Sequence, residues 1–170
     1  MKKSEDTVKP RTNKWMFGLY VGFFAGLIWG GLKIVESYFR FTSLTPGFML
    51  EPFFKHSFLL TWQGYMLGWA TFIAMSIVAA LIYVTFLLKL KGPWPGLVYG
   101  VAWWSMIYLL VGPLTGMITW IVNLDLNTII TDLCLFALWG LFIGYSIAFE
   151  FTDERVYEPF KTKGNSPDPA

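Results

Sequence analysis

The sequence predicts an all-α integral membrane protein, a four-helix bundle with glycine-packed interfaces of the GxxxG type. Three observations predict it. The 170-residue chain is 55% hydrophobic and only 14% charged, whereas soluble domains carry roughly 25% charged residues. Its apolar residues gather in stretches that reach the about 20 residues a helix needs to cross a bilayer. Thirteen of its sixteen glycines fall in series spaced by four.

Residues 1–14 are polar and basic and read as a cytoplasmic tail. The first span covers about 15–39. It follows a basic stretch, as a signal-peptide core would. However, the run from Trp15 to Leu32 is longer than such a core and no small-x-small cleavage site follows it, so it reads as a retained helix. The apolar stretch from Phe58 to Leu90 is too long for one straight crossing. A joint at Gln63-Gly64 puts the second span at about 64–88 and leaves an outer loop at about 40–63. Within that loop, 48–62 is rich in Phe, is interrupted by Pro52, and reads as an interfacial segment. A basic turn holding Lys89, Lys91, Gly92 and Pro93 leads into a third span at about 93–122. Gly112-Pro113 lies inside it, where proline removes a backbone hydrogen bond and kinks the helix. Asn127 or Thr128 is expected to cap a fourth span at about 129–149. Residues 150–170 form a second polar tail, so the transmembrane domain is 15–149.

Lys and Arg counts set the expected orientation. With the N-terminus inside, that side holds Lys2, Lys3, Lys9, Arg11, Lys14, Lys89, Lys91, Arg155, Lys161 and Lys163. The other side holds only Lys33, Arg40 and Lys55. Ten against three places both termini in the cytoplasm, with the chain in the cell membrane. Trp15, Trp62, Trp94 and Trp120 fall near the expected span ends, where interfacial aromatics sit.

Each expected span carries small residues four apart: Gly18, Gly22, Gly26 and Gly30; Gly64 and Gly68; Gly96 and Gly100; Gly140 and Gly144. Lipid supplies little hydrophobic drive between helices, and small residues at this spacing let two backbones approach closely. The series fits packing within one chain or self-association.

The first span ends in charge. At about 100° per residue its glycines cover an arc of about 120°, and Lys33, Glu36 and Arg40 fall inside that arc. They therefore face the bundle, and their spacing lets Glu36 pair with both basic neighbours. Lys33 lies about 27 Å along the axis from Trp15, close to the boundary of a hydrocarbon core about 30 Å thick. That depth favours an anchor or structural ion pair over a functional charge. Asp125 and Asp132 belong to the same outer-face polar cluster, and Asp132 sits in the first turns of the fourth span.

The same inventory limits the chemistry. One His, one Cys and scattered carboxylates offer no metal-ligand spacing, and no nucleophile with a base is visible. Cys134 reads as a packing residue. A net charge of +2 does not suggest nucleic acid. No cofactor and no enzymatic activity are expected.

The chain resembles the YqhR family of small bacterial membrane proteins. The resemblance rests on residues 15–41, on TPGFMLEPFF (45–54), on GPWPGLVYG (92–100) and on VGPLTG (111–116). It implies a multi-pass membrane protein of Gram-positive bacteria and brings no active-site residues. The expected function is that of a non-enzymatic accessory or assembly protein. It would act through helix contacts in the bilayer, with self or with another membrane protein. The alternative is a small channel or transporter. Its outer vestibule (Glu36, Glu51, Asp125, Asp132) would admit cations, and the Gly112-Pro113 break would form part of the path.

Overall fold

The computed structural model describes residues 13–88, 90 and 92–151. Most of the tail and turn lysines and arginines counted above lie outside the described residues. Helices dominate and, among the described residues, no strand occurs. The helices are α1 (Lys14–Tyr38), α2 (His56–Leu59), α3 (Trp62–Phe86), α4 (Trp94–Ser105), α5 (Gly112–Thr115) and α6 (Leu126–Phe151). A π-helical stretch, Met106–Val111, joins α4 to α5, so that Trp94–Thr115 acts as one crossing. Four helices are thus long and apolar enough to span a membrane.

Local chemistry explains where they start. The Asn13 side chain accepts a hydrogen bond from Trp15 N at 3.1 Å and caps α1. Thr61 caps α3 in the same way through Gly64 N at 3.2 Å, so this span begins before the expected Gln63-Gly64 joint. Pro93 and Pro95 flank the first turn of α4, where a missing N–H costs nothing. Trp15, Trp62 and Trp94 stand exposed in these first turns.

Two expectations fail at the far end of the third span. It stops at Thr115, not near 122, because Gly116 takes a left-handed conformation (φ 78°) and turns the chain away. The Gly112 carbonyl accepts from Met117 N at 2.9 Å and so closes the helix. At Gly112-Pro113 the irregularity is the preceding π turn, in which Gly112 N–H bonds Ile107 O. The widened turn absorbs the hydrogen bond that Pro113 cannot donate. The last helix begins at Leu126, so neither Asn127 nor Thr128 is its cap; both lie inside it.

The crossings form two antiparallel hairpins. In the first, α1 lies along α3. A side-chain carbon added at Gly22 would fall 2.6 Å from Ile77 Cα, and one at Gly26 would fall 2.5 Å from Ile73 Cα. Gly18 faces Val84 and Gly30 faces the Trp69 ring. In the second, α4 lies along α6: Gly96 and Gly100 meet the backbone at Gly140, Gly144 and Phe136. Gly64 and Gly68 meet no other spanning helix; Gly64 receives Leu59 of the short α2, and Gly68 receives Gly47 of the preceding loop. That loop folds back onto α3, and Phe48 and Leu59 are buried, while Phe53, Phe54 and Leu60 stay exposed.

The hairpins dock through α1 and α3 against α6. Phe17 meets Phe151 and Trp29 meets Phe142 across the first contact. Phe72, Phe136, Trp139 and Tyr99 fill the space between helices, with Phe136 and Trp139 centroids 5.7 Å apart. Trp139 Nε1 donates to Ser76 Oγ at 2.9 Å, and Tyr99 OH donates to the Ala79 carbonyl at 2.8 Å. Cys134 is exposed on α6 and does not pack into the bundle.

Gly100→Ala pushes a methyl into the α6 backbone and is expected to cost about 1–3 kcal/mol, as overpacking does. Gly31→Ala, whose nearest foreign atom would be 3.9 Å away, is expected to stay within about 0.5 kcal/mol of the parent. Melting of the two variants in mild detergent, followed by circular dichroism, checks the contrast.

Candidate functional site

One end of the bundle carries the loop between α1 and α3 and the connection between α5 and α6. Beneath this loop end lies a closed polar network. Lys33 of α1 forms an ion pair with Asp132 of α6, and Lys33 and Asp132 are only 2% and 0% exposed. Tyr108, from the π stretch, donates its hydroxyl to the second oxygen of Asp132 and is itself fully buried. Thr42 of the loop completes the set. Its Oγ1 accepts from Lys33 Nζ at 3.3 Å and donates to Asp132 Oδ2 at 3.3 Å. The Phe48 ring lies 5.8 Å from Lys33 Nζ and packs beside Tyr108. Four segments of the chain thus converge on one carboxylate.

The depth is modest. Asp132 lies about 9 Å along the axis from the start of α6, and Lys33 precedes the end of α1 by about 8 Å. Neither group reaches water sideways. Moving an ion out of water costs several kcal/mol, and only an opposite charge with further hydrogen bonds offsets that. Tyr108 and Thr42 supply those bonds. The pair can therefore hold charge inside the bundle. It has no oxygen to spare for an incoming cation without breaking a bond already made.

Above the network the loop end opens into a cleft of about 800 Å³. Thr42 and Thr128 stand in its wall and are nearly inaccessible to solvent. Ser43 N donates to Thr128 Oγ1 at 2.8 Å, which ties the loop to the first turn of α6. Arg40 and Asp125 also line the cleft. Arg40 holds a left-handed backbone (φ 58°) just past the end of α1. It is therefore off the helical glycine stripe on which it was expected.

The expected outer-face cluster is brought together in part. Lys33 reaches across to Asp132, a separation of 99 residues, and makes no ion pair with Glu36 on its own helix. Of the anchor or ion pair expected at Lys33, the structure holds the ion pair, with the side chain turned inward. Glu36 pairs with neither Lys33 nor Arg40, and one of its carboxylate oxygens is buried without a hydrogen-bond partner. Glu51 bonds His56 at 2.7 Å in the loop. Thr42, Phe48, Thr128 and Tyr108 were not expected in the network, yet a signal for two of them exists. The four-residue series of the fourth span, read backwards from Gly144 and Gly140, continues through Phe136 to Asp132 and Thr128. That of the third span, read forwards from Gly96 and Gly100, continues to Tyr108.

Removing one member of a buried pair strands the other, at a typical cost of about 3–5 kcal/mol. Lys33→Met and Asp132→Leu are each expected to lose stability on that scale, whereas the double variant recovers at least half of the loss. Unfolding titrations of the four proteins in mixed micelles, read by tryptophan fluorescence, test the coupling; strictly additive losses would refute it.

Comparison with known proteins fits this architecture. The family model described as conserved membrane protein YqhR matches residues 2–161. A protein of Bacillus subtilis (strain 168), YqhR, described as uncharacterized, is 34% identical over 136 residues, covering 78% of this chain and 74% of its own length. No solved structure matches. A bundle of four candidate spans, matched along nearly its whole length by this family model and over 78% of it by a relative at that identity, belongs to the YqhR family of conserved membrane proteins.

Proposed function

We propose that this protein is a non-enzymatic accessory or assembly protein of the cell membrane, acting through contacts with a partner membrane protein. The observation that carries the proposal is the filled interior. Aromatic rings packed edge to face occupy the space between the helices at mid-height, and the buried Lys33 and Asp132 bond each other, with Tyr108 on the same carboxylate. Such a bundle works by what it presents outward. The glycine stripes are not that surface, because Gly22, Gly26, Gly96 and Gly100 already meet helices of their own chain. Contacts fall instead to the lipid-facing sides and the loop end. Both termini lie in the cytoplasm in this proposal, supported by the ten-to-three distribution of Lys and Arg.

The channel or transporter alternative has less support. Of its four vestibule carboxylates, Asp132 is engaged by Lys33 and Tyr108, and Glu51 by His56. Glu36 is not part of the cleft wall, which leaves Asp125. The cleft above the ion pair is the feature that keeps transport testable.

Cross-linking with mass spectrometry on native membranes, using a tagged copy, is expected to recover a reproducible heterologous partner. Liposomes holding the purified protein are expected to show no ion flux above empty vesicles. Flux that Asp132→Asn abolishes, with no heterologous partner found, would replace the accessory role by transport.

A further inference from the structure

The loop-end cleft has a composition that its own fold does not use up. Two opposite charges, Arg40 and Asp125, line one cavity, and neither forms an ion pair among the described residues. The same wall carries hydroxyls and an amide, from Ser43, Thr45, Tyr65 and Asn127. Thr45 is only 7% exposed, and its hydroxyl has no hydrogen-bond partner. That hydroxyl is enclosed, so a ligand group reaches it only with a small shift of the loop, and the bond it then makes is one the chain itself does not supply. The volume of about 800 Å³ lies within the about 300–1,000 Å³ typical of small-molecule sites.

The sign of the charges selects the ligand. A simple anion would satisfy Arg40 but sit in the field of Asp125. A simple cation would meet the reverse problem. A neutral polyol would leave both charges unanswered. We propose that the cleft binds a small zwitterion, with Arg40 taking its anionic group and Asp125 its ammonium group. Such a group comes from two sources, a free solute or the head of a zwitterionic phospholipid. Phe41, Leu60 and Leu126 in the same wall suit either a methylene linker or the start of an acyl chain. The site does not depend on the partner contacts proposed above, and its ligand does not touch the Lys33–Asp132 bond except through Thr42.

The test uses the full chain in nanodiscs. In phosphatidylglycerol discs, soluble phosphoethanolamine is titrated by calorimetry. In a second arm the discs contain phosphatidylethanolamine, and retained lipid is counted by native mass spectrometry. Saturable binding in the first arm identifies a solute site; preferential retention in the second identifies a headgroup site. Arg40→Asn, chosen because Asn tolerates a left-handed backbone, and Asp125→Asn are each expected to weaken binding at least tenfold with unchanged melting. Thr45→Val is expected to weaken it severalfold. Absence of binding in both arms overturns the proposal. So does binding that both charge variants leave intact, or equal affinity for glycerol 3-phosphate, which lacks the ammonium group.

Discussion

The bond between Lys33 and Asp132 organises the loop end. Each charge alone would be costly inside the bundle; together, with Tyr108 and Thr42, they form a unit whose groups satisfy one another. The unit joins the two hairpins, because Lys33 stands on α1 and Asp132 on α6. It also fixes the loop. Once Thr42 is held, the chain that follows brings Phe48 under the lysine and sets Gly47 against Gly68. Thr42 also lines the cleft above, together with Arg40 and Asp125.

Below this polar layer the cohesion is of another kind. Apolar area gains little from facing a neighbouring helix instead of lipid, so contact distance decides. Glycines draw the two helices of each hairpin together until backbone meets backbone. Between the hairpins large rings meet: Trp139 of α6 touches Phe72 of α3, while Tyr99, Trp103 and Phe136 of its own hairpin pack around it. Small residues within hairpins and large ones between them make a rigid bundle from few polar contacts.

Much of this was legible in the sequence. Span number, span type and the inward direction of Lys33 follow from hydropathy and a helical wheel, because a lipid solvent leaves the backbone few options. The loop was not legible. Its fold depends on Thr42 meeting groups 90 residues away, and no local pattern encodes such a bond. The end of the third span was missed for a simpler reason. Apolar residues continue from Met117 to Val122, but Gly116 stops the helix first. In the network, Asp132 was foreseen and Tyr108 was not, although both extend the same four-residue spacing as the glycines beside them. Spacing marks the interface whether the residue there is small or polar.

The separation of 99 residues between the paired charges has a consequence in time. During synthesis α1 enters the membrane well before Asp132 has been translated. Lys33 must then wait alone, and its place near one end of the helix makes that wait possible. A lysine so close to the boundary extends its four-carbon stem to the headgroups, a refuge that one at the bilayer centre lacks. In the finished bundle the amine bonds the carboxylate and faces inward. The depth of this charge is therefore bounded twice, deep enough to be sealed in the finished bundle and shallow enough to survive its own assembly.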